Sequence, residues 1–197
     1  VAYHRQPRLF DQWDRDQNGR ADILDEALWG AEFLLKALDR ESLELVVNTI
    51  STGYRYWGDP ELETDNQPGN GDDRPVKETG GDRTWCAAGF ALTGAALKRA
   101  GDSARGEEFI RLAERLHQKI GGGMETLTAL YAATGDTKYR QVAQTEVANL
   151  LKQSKPEANF RALGEFAAAF PDDPLVARIR PVAERRVAEL ALFCAPP

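Results

Sequence analysis

With 197 residues, of which 42% are hydrophobic and 28% charged, the chain has the size and composition of a soluble globular domain with its own core. The net charge of −6 and the lack of a Lys/Arg run argue against a nucleic-acid-binding protein. No apolar stretch approaches the roughly 18–20 residues of a membrane-spanning helix, and no signal-peptide pattern follows Val1, so we expect a mature product or a fragment without a membrane span.

The first predicted element is an acidic loop at residues 14–25, which has the spacing of a calcium loop of the EF-hand type. Side-chain oxygens fall at loop positions 1, 3, 5, 9 and 12, and a glycine stands at position 6, where the chain must turn sharply. The predicted ligands are the side chains of Asp14, Asp16, Asn18, Asp22 and Asp25 and the backbone carbonyl of Arg20. Because calcium takes six to eight oxygen ligands, the acidic loop predicts one bound Ca²⁺.

Helix capping is the alternative interpretation of the same residues. Asp22 can cap the following helix, and Asp25 and Glu26 can interact favourably with the helix dipole. Two positions depart from the calcium pattern, because position 12 carries Asp25 instead of a longer glutamate and position 8 carries Ala21. We favour calcium, since four carboxylates and an asparagine within twelve residues exceed what capping requires.

A single structural ion is expected here, without a paired EF-hand. The residues before Asp14 contain Pro7 and show no helical period, so we predict an extended segment and then the acidic loop over residues 1–21. The ion would fix the start of the next helix. Because cytosolic free calcium is too low to fill a weak site, we expect an extracellular or secreted protein.

An amphipathic helix is predicted next, over residues 22–39, where apolar residues follow the 3.6-residue period. Residues 43–50 are rich in β-branched side chains and are predicted to be extended, as are residues 54–57. Residues 58–80 are dominated by proline, glycine, asparagine and aspartate and predict a long surface loop. The whole region is a short β/loop insertion at about 43–80.

The rest of the chain is predicted to be helical, with short turns that favour antiparallel neighbours. The predicted helices cover residues 82–100, 104–119, 122–133, 136–153, 157–169 and 174–193, and Pro181 should kink or divide the last. A Gly-Asp turn recurs 34 residues apart, at 100–102 and 134–136, which suggests repeated helical hairpins. The predicted fold is therefore mainly α, a single helical domain over residues 1–197. Its parts are the extended segment and acidic loop (1–21), the first helix (22–39), the strand and long loop (40–81) and the hairpins (82–197).

Chemistry-bearing side chains are sparse outside the acidic loop. Cys86 and Cys194 can form one disulfide or remain buried thiols, and without a CxxC pair or neighbouring histidines they do not predict zinc. His117 lies among polar helix positions and is predicted to face solvent. No Ser/His/Asp or Cys/His arrangement is present, so we predict no catalytic residue in this chain.

Three stretches, taken together, resemble glycoside hydrolase family 9. Residues 21–35, ADILDEALWGAEFLL, are similar to the family's PDILDEARWGLEFLL helix, and residues 130–139, LYAATGDTKY, are similar to its LYKATGDxxY segment. Between them, residues 54–61, YRYWGDPE, with Asp73-Arg74-Pro75 and Gly81-Asp82, resemble the family's aromatic loop and the start of its alanine-rich helix. The order and rough spacing agree over residues 1–150. The resemblance implies a partial (α/α)6-type toroid of helical hairpins.

The resemblance also implies a sugar-binding role for the aromatic loop. Trp57 occupies the place of an aromatic residue that stacks on a sugar ring, and an indole face suits the apolar face of a pyranose. A hydrophobic plug under the loop is the alternative for Trp57. Tyr54 stands where the family has a histidine, and Arg74 is either a substrate contact or the ion-pair partner of Asp73.

The family's catalytic carboxylates have no counterparts in the sequence. Inverting hydrolysis needs a carboxylate base and a carboxylic acid, and neither the family's DAGDY segment nor its C-terminal acid occurs here. We therefore expect a carbohydrate-active protein of the family 9 type, which in a complete molecule would hydrolyse a β-glucan or oligosaccharide. This chain by itself is expected to be inactive. The alternatives are a non-catalytic secreted scaffold, an assembly subunit or glycan-binding module, and a repeat-type interaction module. Uncovered helix faces would favour another protein chain or self-association.

Overall fold

A computed structural model of the chain describes residues 1–44, 48–49, 76–77 and 84–194. The helices are α1 (Ala2–Arg5), α2 (Pro7–Phe10), α3 (Asp22–Ala37), α4 (Thr84–Arg99), α5 (Ser103–Ile120), α6 (Met124–Thr134), α7 (Thr137–Leu150), α8 (Phe160–Ala169) and α9 (Pro174–Cys194), with a 3-10 helix at Pro156–Asn159. Two short strands, β1 (Asn48–Thr49) and β2 (Val76–Lys77), pair antiparallel, with Asn48 opposite Lys77.

The mainly helical fold is confirmed, and the predicted helices lie within a few residues of those observed. One expectation is wrong. Residues 1–21 are not extended throughout, because α1 and α2 each form one helical turn and Pro7 takes the first position of α2, where its missing N–H costs nothing. Of the two outcomes predicted for Pro181, a kink or a division of the last helix, the division does not occur, since α9 continues through this residue. Residues 43 and 44 belong to neither a helix nor a strand, Asn48–Thr49 within the predicted extended stretch 43–50 is a strand, and most of the predicted β/loop insertion lies outside the described residues.

The chain forms two compact units. The first consists of Val1–Ala31 and Thr84–Pro197, and the second of Glu32–Arg83. Within the first unit, α4 packs on α5 and α6, α6 packs on α7 and α8, and α8 packs on α9. The large side chains buried at the centre of these contacts are Phe90, Leu97, Phe109, Leu116, Leu127, Leu130, Val147, Leu163 and Phe166.

Helices α4 and α5 approach each other closely at two glycines. A Cβ atom placed on Gly94 would lie 2.6 Å from the Gly106 carbonyl oxygen and 2.8 Å from Cγ1 of Ile110. A Cβ atom placed on Gly106 would lie 2.6 Å from the Gly94 carbonyl oxygen. Two backbones in contact leave no space for a side chain on either helix, so these glycines set the distance between α4 and α5.

The turns before α5 and α7 share one design. Gly101 and Gly135 have φ values of +95° and +70°, a conformation that glycine adopts without the steric cost that a side chain brings. The next residue then caps the following helix: the Asp102 carboxylate accepts from the Arg105 N–H, and the Asp136 carboxylate accepts from the Lys138 N–H. Each Gly-Asp pair therefore ends one helix and starts the next.

Asp173 is a buried carboxylate that joins two helices. Its Oδ2 accepts from Nη2 of Arg140 at 2.9 Å and from Nε2 of Gln144 at 2.7 Å, and its Oδ1 accepts from the Leu175 N–H at 3.1 Å. The side chain is 1% exposed. It thus caps the start of α9 and ties α9 to α7, and its charge is matched by the partly exposed Arg140.

Three further expectations can be compared with the described residues. None of the helices in the described part of the chain is both long and apolar enough to cross a bilayer. His117 is half-buried and not fully solvent-facing, because its ring lies edge-on to Tyr139 at 5.7 Å between centroids and its Nδ1 is buried. Cys86 is buried in α4, and the side chain of Cys194 lies outside the described residues.

Candidate functional site

The acidic loop connects α2 to α3 and is anchored to the core at its end. The Asp22 N–H donates to the Trp13 carbonyl at 2.8 Å, which closes the base of the loop. Immediately after the loop's turn, Ala21 and Leu24 are buried against Ala96. The loop is therefore attached to the core through its own C-terminal residues, and a change in its conformation would alter the packing at the start of α3.

The Asp14 carboxylate organises the interior of the loop. Its Oδ1 accepts from the Asn18 N–H at 3.1 Å, and its Oδ2 accepts from the Gly19 N–H at 2.9 Å. Gly19 has φ +83°, so the glycine at loop position 6 serves the sharp turn that the sequence predicted for it. These bonds wrap the backbone around a single carboxylate.

Three of the predicted ligands converge. One carboxylate oxygen from each of Asp14, Asp16 and Asp22 lies within 4.8 Å of the other two. Oxygens that bind one calcium ion at 2.3–2.6 Å stand no farther apart than about 5 Å, so this spacing suits a shared ion. Asp14 and Asp22 are half-buried and Asp16 is exposed, which leaves the cluster open to solvent on one side.

The other predicted ligands are held by groups of the protein itself. Nδ2 of Asn18 donates to Asp16 Oδ2 at 3.0 Å and to Asp25 Oδ2 at 2.9 Å. Nη1 of Arg20 lies 3.1 Å from Asp25 Oδ1. Asp25 is thus bonded to Asn18 and Arg20 and does not belong to the converging triad.

Asp22 points back into the loop. Its Oδ1 accepts from the Arg15 N–H at 2.8 Å, and its Oδ2 lies 3.8 Å from Nε of Arg15. Arg15 and the guanidinium of Arg20 are therefore internal counterions of the loop, a role that the spacing of the oxygens did not predict. The alternation of these arginines with the aspartates could have predicted the ion pairs, because an arginine one or a few residues from a carboxylate can reach it within a tight turn.

The predicted sugar-binding residues Trp57, Tyr54 and Arg74 lie outside the described residues. No protein-family model, no curated protein and no solved structure matches the chain. The functional proposal therefore depends on the acidic loop and on the sequence pattern.

Proposed function

We propose that the acidic loop binds one Ca²⁺ ion and that this ion stabilises the start of α3. The observation that carries the proposal is the convergence of carboxylate oxygens from Asp14, Asp16 and Asp22. Asn18, Asp25 and the Arg20 carbonyl are proposed to complete the ligand set. Bound calcium would supply the positive charge that offsets repulsion among these carboxylates.

The ion would act on stability through the anchored end of the loop. Ala21 and Leu24 belong to the core, and Asp22 between them is a proposed ligand. Calcium binding would therefore tie the loop backbone to the first turn of α3. The solvent-open cluster and the shorter Asp25 favour a weak site, with a dissociation constant of about 10⁻⁴–10⁻³ M, as in extracellular modules. We propose an extracellular or secreted setting on this basis.

Thermal melting tests the calcium proposal. Calcium at about 100 times its dissociation constant should stabilise the protein by about 2.7 kcal/mol relative to chelator, which is a rise of roughly 5–11 °C in Tm. The Asp14→Asn/Asp16→Asn variant should show no such rise, because it loses two ligands of the triad. Glu26→Gln, an exposed α3 position outside the loop, is the matched control and should keep the rise.

A direct binding readout separates ion binding from a general salt effect. Tb³⁺ bound at the triad should show emission sensitised by Trp13, which immediately precedes Asp14, and added Ca²⁺ should abolish that emission. An identical melt in calcium and in chelator, together with no sensitised emission, would retire the proposal.

For the whole protein we propose a carbohydrate-active role of the family 9 type. Support comes from the three resembling stretches in their order, one of which runs through the acidic loop's end into α3. The hairpins would then form part of an (α/α)6-type toroid. The family's catalytic carboxylates are absent from this sequence, so a non-catalytic secreted scaffold, an assembly subunit or a glycan-binding module is the alternative.

Oligosaccharide binding tests the carbohydrate role that the family 9-type protein and the glycan-binding module share. The chain should bind β-linked gluco-oligosaccharides without turnover, and Trp57→Ala should weaken binding about tenfold or more by removing the stacking face. Trp85→Ala, at an exposed tryptophan of α4, serves as the control and should bind normally. Hydrolysis of a β-glucan by this chain would show that the prediction of no catalytic residue is wrong, whereas no binding at all would remove the carbohydrate proposal.

A further inference from the structure

Helix α9 carries an exposed face in addition to the one it buries. Its buried residues Ile179 and Val182 lie on one side. Residues spaced by three, four, seven and eleven positions share a helix face, and one such set is only partly covered or fully exposed. The set, named here the α9 outer face, is Val176, Ala177, Arg180, Ala183, Glu184, Val187 and Ala191. Val187 is 66% exposed.

Two opposite charges stand at the middle of the α9 outer face. Arg180 and Glu184 are one helical turn apart, and within the described part of the chain neither has an ion pair or a side-chain hydrogen bond. Arg178, Arg185 and Glu189 project from a different side of the helix, as their spacing from this set requires. The outer face is thus apolar except for one unused positive and one unused negative group.

A depression lies at the N-terminal end of the same face. Its volume is about 310 Å³, and it is lined by Pro171, Asp172, Asp173, Val176, Ala177 and Arg180. The protruding Val187 lies on the C-terminal half of the same helix face, about three turns from Val176. The α9 outer face therefore has a depression at one end, formed with the residues just before the helix, and an apolar side chain of a size to enter it toward the other.

We propose that two copies of this chain pair antiparallel through the α9 outer face, about a two-fold axis near residue 182. Around that axis, Arg180 lies opposite Glu184 of the partner subunit, and the reverse pair forms by symmetry. Ala177 lies opposite Val187 of the partner subunit, which places that side chain at the depression. The partner on this face is a second copy of the chain, because the two halves of the α9 outer face are complementary to each other in charge and in shape.

The size of this face sets the strength of the association. A single helix face buries less than a typical stable interface of roughly 1,600 Å², so the dimer should dissociate on dilution. The two reciprocal ion pairs would fix the register and the antiparallel direction more than they add affinity. The expected behaviour is a concentration-dependent monomer–dimer equilibrium.

Analytical ultracentrifugation with charge variants tests the proposal. Over about a hundredfold range of concentration the native chain should shift from monomer to dimer. Arg180→Glu and Glu184→Arg should each be monomeric, because like charges then face each other across the axis. An equimolar mixture of these two variants should form a heterodimer, since both cross-axis pairs are restored, and the double variant Arg180→Glu/Glu184→Arg should dimerise by itself.

The controls separate loss of pairing from loss of folding. Arg185→Glu changes the same charge on the other side of α9 and should leave the dimer intact, and Val187→Ala should weaken it about tenfold. A native chain that stays monomeric throughout would overturn the proposal, and so would a mixture of the single variants that fails to pair. Equal dissociation by Arg185→Glu would also overturn it, because the association would then not involve the outer face specifically.

Discussion

Replacing Gly94 by valine is expected to destabilise the protein by about 3 kcal/mol, the cost of overpacking two helices that are already in contact. The new Cβ would stand 2.6 Å from the Gly106 carbonyl oxygen, a backbone atom that can move only if α5 moves with it. Chemical denaturation should therefore show a lower midpoint with an unchanged slope. Gly94→Ala should destabilise in the same direction by a smaller amount, because its single methyl group meets the same oxygen.

Gly89→Ala provides a control of opposite sign in the same helix. A Cβ at Gly89 meets no atom within 4 Å in the described part of the chain, so the substitution brings the helix propensity of alanine, a gain of about 0.5–1 kcal/mol. If Gly94→Ala stabilised the protein as Gly89→Ala should, the close approach of α4 and α5 described above would be contradicted.

Truncating Asp173 to alanine is the second large change, with an expected cost of about 2–4 kcal/mol. The substitution removes the cap of α9, worth about 1 kcal/mol, and leaves Gln144 and the Leu175 N–H without their acceptor. Urea denaturation at neutral pH measures the loss. Asp172→Ala, at the exposed neighbouring residue, should cost less than about 0.5 kcal/mol, since surface substitutions generally do.

The effect of Asp173 should also depend on pH. Burial acts to raise the pKa of this carboxyl, but hydrogen bonds from Arg140, Gln144 and the Leu175 N–H outweigh it and hold the pKa below the ordinary value of 3.8. A depressed pKa in the folded state means that the carboxylate stabilises the protein above its unfolded pKa and that this contribution is lost as pH falls through the folded pKa. The difference between native chain and Asp173→Ala should be full at neutral pH and shrink below about pH 4. A difference that stays constant down to the acid limit would contradict the charged network.

The helices could be predicted from the sequence because the residues at each turn determine where one helix ends and the next begins. Gly101 and Gly135 stand where the chain leaves the helix, and the aspartates after them supply the next cap. Helices α1 and α2 were missed because a four-residue helix shows no period. The close approach of Gly94 and Gly106 could not be predicted either, since two glycines in different helices give no sign of facing each other.

In the acidic loop, too, the features set by neighbouring residues could be predicted and the side-chain contacts could not. The spacing of its oxygens correctly anticipated the turn at Gly19, which depends only on neighbouring residues. The partners of Asp25 depend on side-chain directions that a spacing pattern does not contain, so the Arg20 contact at 3.1 Å was unforeseen. The ligand role of these residues stays a prediction that the melting experiment can decide.

The paired Gly-Asp turns have a consequence for how the chain folds. Because each reversal is specified by adjacent residues, α4 with α5 and α6 with α7 can meet as hairpins before any distant segment arrives. We expect nascent chains that end after Leu150 to hold both helical pairs already, before α8 and α9 dock on them.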